Sequence, residues 1–106
     1  MAKYLIQANY TAEGTKGLLK EGGSSRRAAV TKMLESLGGK VESFYYAFGD
    51  IDLFIIADVP DNVSAAALSM TVAAAGTATS TITVLLTAEE IDAATKKTAT
   101  YRAPGR

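Results

Sequence analysis

The sequence contains neither cysteine nor histidine. Their absence excludes disulfide bonds, thiolate nucleophiles, catalytic triads built on histidine, histidine-ligated haem and the common zinc sites. A metal site could use only Asp and backbone oxygens, which suit a hard cation, and we expect none. We also expect no cofactor. Any chemistry of this chain therefore rests on oxygen and amine groups.

Net charge is also missing, because eleven Lys and Arg residues balance eleven Asp and Glu residues. Without a positive field the chain lacks the main driving force for binding a phosphate backbone, so we expect no nucleic-acid partner. No apolar run approaches the roughly 20 residues that cross a bilayer, and we expect no membrane partner. The first ten residues lack the pattern of a secretory signal, which makes a cytoplasmic location the default expectation.

The length of 106 residues, 48% hydrophobic and 21% charged, is typical of one small globular domain, which we assign to residues 1–106. Residues that alternate or are rich in β-branched and aromatic types predict strands over residues 3–10, 41–48, 51–58 and 79–86. Three-to-four-residue spacing and capping residues predict helices over residues 12–20, 26–37, 63–76 and from 88 towards 97. A tight hairpin turn at Gly49-Asp50, with Gly49 at positive φ, joins the second and third predicted strands.

This order predicts an α+β fold, a ferredoxin-like βαββαβ antiparallel sheet with an extra C-terminal helix. Both long helices are expected on one face of the sheet, yet the predicted hairpin has apolar side chains on both faces. We expect one face to carry Tyr45, Leu53 and Ile55, and the other to carry Phe44, Phe54 and Ile56. Since two helices cover only one face, a second subunit is expected on the other. The chain is therefore predicted to form a homo-oligomer, at least a dimer, as a dimeric α+β barrel.

Four segments together resemble the GYD domain family. They are Tyr10–Gly14, Gly38–Glu42, Tyr45–Asp52 and Leu85–Thr87. The resemblance spans nearly the whole chain and implies a small cytosolic bacterial protein, related to dimeric α+β barrel proteins, in a family without a settled biochemical activity. Ile51 stands where the Gly-Tyr-Asp element of the family has tyrosine. The short turn from Gly49 to Asp52 is also similar to one in the amino-acid-binding domains of leucine-responsive regulators.

The hairpin holds the strongest candidates for a binding site. Asp50 and Asp52 lie beside aromatic residues and could hold an amine or act as an acid/base pair. Turn formation is an alternative role for Asp50, whereas Asp52 is predicted among apolar strand residues, where an ionised carboxylate requires a donor. Tyrosines at strand spacing could line a pocket or pack in the core or an interface. The candidate ligand-binding residues are Asn9, Tyr10, Tyr45, Tyr46, Asp50 and Asp52.

A second motif runs from Gly22 to Arg27, just before the main amphipathic helix. Free amides, two hydroxyls and two guanidinium groups could gather a phosphate or carboxylate there. The motif lacks the Gly-Lys-Ser/Thr ending of a phosphate-binding loop. We interpret it as an exposed flexible loop in which a serine caps the helix.

Two hypotheses for function follow from these patterns, and the catalytic residues, if any exist, are unknown. The first is an oligomeric protein that binds a small organic molecule in a pocket beside the sheet or the subunit interface. The alternative is a cofactor-independent enzyme resembling the barrel monooxygenases and isomerases, with Asp52 as the base. A purely structural assembly module is a third interpretation.

Overall fold

The strands and helices follow the predicted order in this computed structural model, which describes residues 2–106. They are β1 (Ala2–Tyr10), α1 (Ala12–Glu21), α2 (Gly23–Ser36), β2 (Lys40–Tyr46), β3 (Leu53–Val59), α3 (Asn62–Ala75), β4 (Ala78–Leu85) and α4 (Ala88–Thr95). Predicted and observed limits differ by a few residues at most element ends. None of the helices within residues 2–106 combines the length and the hydrophobicity that crossing a membrane requires.

The four strands form one sheet in the order β2-β3-β1-β4, and each neighbouring pair is antiparallel. The connection through α1 and α2 carries the chain from β1 past β3 to the outer strand β2. The connection through α3 carries it from β3 past β1 to the other outer strand, β4. This order confirms the predicted α+β, ferredoxin-like fold.

The core lies between the sheet and the two long helices. Leu34 of α2 is fully buried and Leu68 of α3 is nearly so. Alternate residues of β1 and β3 face these helices, as the period of a strand covered on one face requires. The buried core residues are Tyr4, Ile6, Ala8, Val30, Leu34, Leu53, Ile55, Ala57, Val59, Ala65 and Leu68.

Three helices begin directly after a residue whose side chain caps them: Thr11, Asp61 and Thr87. Asp61 Oδ1 accepts a hydrogen bond of 2.8 Å from the Ser64 amide, and this bond holds the pKa of the Asp61 carboxyl below its usual value. Thr87 and Glu90 exchange two side-chain-to-backbone hydrogen bonds of 3.1 and 2.9 Å. These contacts satisfy amides that the first helical turn leaves without partners.

At Gly14, helix α1 lies close to Thr77, in the connection between α3 and β4. The Thr11 amide donates a hydrogen bond of 3.0 Å to the Thr77 carbonyl oxygen, which holds the start of α1 against the residue before β4. A Cβ atom built on Gly14 would overlap that oxygen and lie 2.9 Å from the Thr77 carbonyl carbon. Only a residue without a side chain fits at this position.

The predicted loop from Gly22 to Arg27 is wrong, because α2 begins at Gly23 and a single residue, Gly22, separates it from α1. Gly22 has φ 85°, which a glycine adopts without strain. The predicted serine cap is also wrong, since Gly22 is the capping residue and has no side chain to donate or accept. The Tyr46 hydroxyl donates a hydrogen bond of 2.9 Å to the Gly23 carbonyl oxygen, which ties the first residue of α2 to the end of β2.

The predicted two-residue hairpin turn is wrong as well. Strand β2 ends at Tyr46 and β3 begins at Leu53, so the connection contains residues 47–52. Gly49 does not have a positive φ. The Asp52 amide points to β1 and donates to the Ala8 carbonyl oxygen at 3.1 Å, so β1 holds the residue just before β3.

The predicted grouping of side chains on the two sheet faces is partly wrong. Tyr45 pairs with Phe54, whereas Phe44 pairs with Ile55. Cross-strand partners point to the same side of a sheet, so Tyr45 shares a face with Phe54 and Phe44 lies on the helix side. Alternation along one strand separates its two faces, but only the register between strands shows which faces lie on the same side of the sheet. A bulge between Val41 and Ser43 further changes the side of β2 that each residue occupies.

The sheet face away from α2 and α3 is called the open face here. Its apolar residues are Leu5, Tyr45, Phe54, Ile56 and Leu85. The Tyr45 side chain is 70% exposed. At one end of this face the Lys3 ammonium contacts the Asp58 carboxylate at 3.1 Å and the Glu42 carboxylate at 3.0 Å. The expectation of apolar side chains on both faces is therefore confirmed, with a different division between them.

Candidate functional site

Three of the predicted site residues meet where β1 ends and β3 begins. The Tyr10 amide donates a hydrogen bond of 3.0 Å to Asp52 Oδ2. The Asp52 amide in turn donates one of 2.9 Å to Asn9 Oδ1. Asp52 is half-buried, and its carboxylate receives its hydrogen bond from the backbone rather than from a tyrosine hydroxyl or a lysine. Asn9 and Asp52 therefore hold the two strand ends together and fix the position of Tyr10.

We predict that Asp52→Ala lowers the free energy of unfolding by about 1.5–3 kcal/mol, since it leaves the Tyr10 amide without its charged acceptor. Asp52→Asn should cost less than half of this, because the amide oxygen of asparagine can still accept the bond. Urea denaturation of the two variants beside the native chain measures both effects. Equal losses for the two variants would contradict the assigned contact.

Tyr46 extends this group towards α2. Its ring meets the Phe44 ring edge-on, with centroids 5.3 Å apart, and its hydroxyl is bonded to the Gly23 carbonyl oxygen. Burial raises the pKa of the Tyr46 hydroxyl above its usual value. Tyr46 and Tyr10 both line a cleft of about 230 Å³. The other residues lining that cleft are Thr15, Leu18, Ala47 and Asp52.

The Tyr10 hydroxyl oxygen is buried and has no hydrogen-bond partner among residues 2–106. Burial raises the pKa of this hydroxyl, the neighbouring Tyr46 raises it further, and the Arg26 guanidinium opposes the rise. Both neighbours are thus close enough to act on Tyr10, but neither meets the geometry of a hydrogen bond. A buried hydroxyl without a partner typically costs about 1–3 kcal/mol. Tyr10 is therefore in place to accept or donate a bond to something else.

An apolar cavity of about 50 Å³ lies between α2, α3 and the sheet, and Tyr10 forms part of its wall. Its polar lining comes from Tyr10, Arg26 and Ser80. Its apolar lining comes from Ile6, Ala8, Val30, Met33, Leu34, Leu53, Ile55, Leu68, Val72 and Ala78. Tyr10 thus belongs to both this cavity and the cleft beside Tyr46. We call the Tyr10, Arg26 and Tyr46 side chains, with the cavity and the cleft, the Tyr10 site.

Arg26 is absent from the predicted site residues, because the sequence associates it with the Gly22–Arg27 motif and not with the tyrosines of the strands. In the structure it lies in α2, four residues before Val30 and seven before Met33, so all three share one side of the helix. That spacing is visible in the sequence and could have placed Arg26 beside the core. Within residues 2–106 no carboxylate forms an ion pair with Arg26, since the ion pairs there both involve Lys3.

The two remaining predicted site residues lie elsewhere. Tyr45 is on the open face, on the opposite side of the sheet from the apolar cavity of the Tyr10 site. Asp50 is exposed in the connection between β2 and β3. The chain from residue 2 to 106 brings together no three carboxylates that could hold a metal ion. The geometry of the Tyr10 site suits binding, because it offers hydrogen-bonding groups at the edge of an apolar space.

Comparison with protein families shows which family contains this sequence. The family profile of the GYD domain matches residues 4–95, from within β1 to the end of α4. The chain belongs to the GYD domain family. The GYD match contains Asn9, Tyr10, Arg26, Tyr46 and Asp52, and it confirms the resemblance carried by the four sequence segments. No curated protein and no solved structure matches this GYD domain.

Proposed function

We propose that this GYD domain binds a small organic molecule at the Tyr10 site. The observation that carries the proposal is the Tyr10 hydroxyl, buried and without a partner at the wall of an apolar cavity. A ligand oxygen beside that hydroxyl would remove the cost of leaving it without a hydrogen bond. The apolar part of the ligand would occupy space that water fills poorly.

The chemistry of the lining defines the ligand further. Arg26 supplies hydrogen-bond donors and a positive charge at the same wall as Tyr10. These groups favour an acceptor oxygen, such as a carbonyl or carboxylate. The cavity has room for only a few carbon atoms, so a larger ligand would extend into the cleft between Tyr10 and Tyr46. A short-chain carboxylic acid or ketone meets both requirements.

Tyr10→Phe tests this proposal, because the ligand-free and ligand-bound proteins should respond in opposite directions. Without ligand, removal of the unpartnered hydroxyl should raise the free energy of unfolding by about 1 kcal/mol. Binding of sodium butyrate, measured by NMR titration of the backbone amides, should weaken by at least about tenfold. Tyr45→Phe, on the open face, serves as the matched control and should change neither quantity by much.

Two results would contradict the proposal. In the first, neither butyrate nor butan-2-one at millimolar concentration shifts the NMR signals of the backbone amides around Tyr10. The other is unchanged binding in Tyr10→Phe. A fall in stability of Tyr10→Phe would show that the hydroxyl has a structural partner in solution.

We further propose that the protein acts as a homo-oligomer in which a second copy covers the open face. Support comes from Leu5, Phe54 and Ile56, which place apolar side chains on the two central strands, where no long helix packs. Burying such surface contributes about 25 cal/mol per Å². The enzymatic alternative, with Asp52 as base, gains no support from the geometry, because the carboxylate is bound to the Tyr10 amide. A cytoplasmic location stays a prediction from the sequence.

A further inference from the structure

The last part of the chain, residues 86–106, is called the C-terminal arm here. Every residue of the arm except Ala103 is exposed. Helix α4 lies within it and packs against none of the other helices or strands between residues 2 and 106 to any substantial extent. The α-carbon radius of gyration is 17.0 Å, whereas a compact domain of this length has about 13 Å. The arm therefore projects away from the rest of the chain.

Helix α4 has an apolar side without a cover. Ala88, Ile91 and Ala94 follow one another at three-residue spacing along one side, and Ile91 is 47% exposed. Glu89 and Asp92 lie on the other sides of the helix. The helix has eight residues, and isolated helices shorter than about 12 residues are marginal in water even when they are well capped. Helix α4 therefore needs a surface to pack against.

The total exposed area is also large for this chain. It is 7411 Å². A compact monomer of 11.1 kDa exposes about 5,700 Å². The difference, roughly 1,700 Å², exceeds the area of about 800 Å² that each partner contributes to a stable protein interface. A single chain thus exposes enough excess surface for a specific dimer.

We propose that the C-terminal arm packs against a second copy of this chain. The arm starts directly beside the surface where that copy is proposed to lie: Leu85 belongs to the open face, and Leu86, the first residue of the arm, is 59% exposed. A copy that covers the open face lies within reach of α4. The two chains exchange arms, and the apolar side of each α4 is covered by its partner. This inference rests on the proposed dimer, but not on ligand binding.

Ile91→Asp tests the contact in the full-length protein, with Ala93→Asp as its matched control. Ala93 is two residues further on and lies nearly opposite Ile91 on the helix. Both substitutions place aspartate in an exposed helix, so neither disturbs the core. Ile91→Asp should raise the dimer dissociation constant at least about tenfold, and Ala93→Asp by less than about threefold. Analytical ultracentrifugation across a concentration series measures both values.

Site-specific cross-linking shows which chain the arm contacts. Because the native chain has no cysteine, Lys97→Cys carries one benzophenone maleimide label just beyond α4. Irradiation should give a covalent species of twice the chain mass on a denaturing gel. Cross-links only within one chain would overturn the proposal, and so would equal dissociation constants for the two aspartate variants. A chain that stays monomeric at all concentrations would overturn both the arm exchange and the open-face dimer. A dimer whose dissociation constant is unchanged by Ile91→Asp would overturn the arm exchange alone.

Discussion

Replacement of Gly14 by alanine should lower the free energy of unfolding by at least about 2–3 kcal/mol. The added Cβ would overlap the Thr77 carbonyl oxygen and lie 3.1 Å from Tyr10 Cδ1. Relief of the overlap requires α1 to move, which breaks the hydrogen bond between the Thr11 amide and the same oxygen. The two Thr77 atoms belong to the backbone, and they cannot move aside as the end of a flexible side chain can.

Gly17→Ala in the same helix is the matched control. A Cβ at Gly17 meets no atom within 4 Å, so alanine there should stabilise the protein by up to about 1 kcal/mol through its higher helix propensity. Urea denaturation of both variants should therefore give changes of opposite sign. Changes of the same sign would show that α1 is not held against Thr77 in solution.

Ile56→Lys should dissociate the proposed oligomer. Ile56 lies on the central strand β3, opposite Leu5 of β1, in the middle of the open face. A lysine ammonium enclosed between two such faces costs several kcal/mol, so the dimer dissociation constant should rise roughly a hundredfold or more. Light scattering at low micromolar concentration should change from the mass of at least two chains to that of one.

Met70→Lys is the control for this experiment. Met70 is an exposed apolar residue of α3, and 71% of its surface is accessible. The same chemical change there should leave the oligomer intact, because α3 packs on the other side of the sheet. A native protein that scatters as an 11.1 kDa monomer would contradict the proposed assembly. Dissociation by both variants would place the interface elsewhere.

Local chemistry explains why most of the fold could be predicted from the sequence. Thr11, Asp61 and Thr87 each cap a helix through atoms three residues away, so the information lies within one helical turn. Strand alternation in β1 and β3 similarly reflects one covered face. The order of elements then restricts the topology to very few folds.

The errors arose where distant residues decide the local structure. Helix α2 begins at Gly23, where Tyr46, 23 residues further on, binds the Gly23 carbonyl oxygen. In the connection before β3, which is longer than a tight turn, Asp52 is bound by β1. Neither contact has a signature in the short segment that it changes.

The candidate site likewise contains residues that could be predicted from the sequence and residues that could not. Sequence reasoning found Asn9, Tyr10 and Asp52, which lie at the ends of strands that could be predicted to be neighbours. It placed Tyr45 and Asp50 with them, because closeness along the hairpin does not distinguish the two faces of a sheet. Arg26 was missed although its spacing to Val30 and Met33 is visible in the sequence, because only the packing of α2 on the sheet brings it beside Tyr10. The unpartnered Tyr10 hydroxyl has no sequence signal at all.

The bulge in β2 has a consequence for how the protein avoids aggregation. An outer strand displays unpaired amides and carbonyls on which another strand can grow, and a bulge interrupts that row. Glu42, the unpaired residue of the bulge, is charged, and so is Lys40 at the start of β2, which makes this edge still less suited to pairing. Strand β4, at the opposite edge, has a continuous register along β1. Because a fibril must add strands at both edges, a sheet with one interrupted edge propagates less readily than a sheet with two continuous edges.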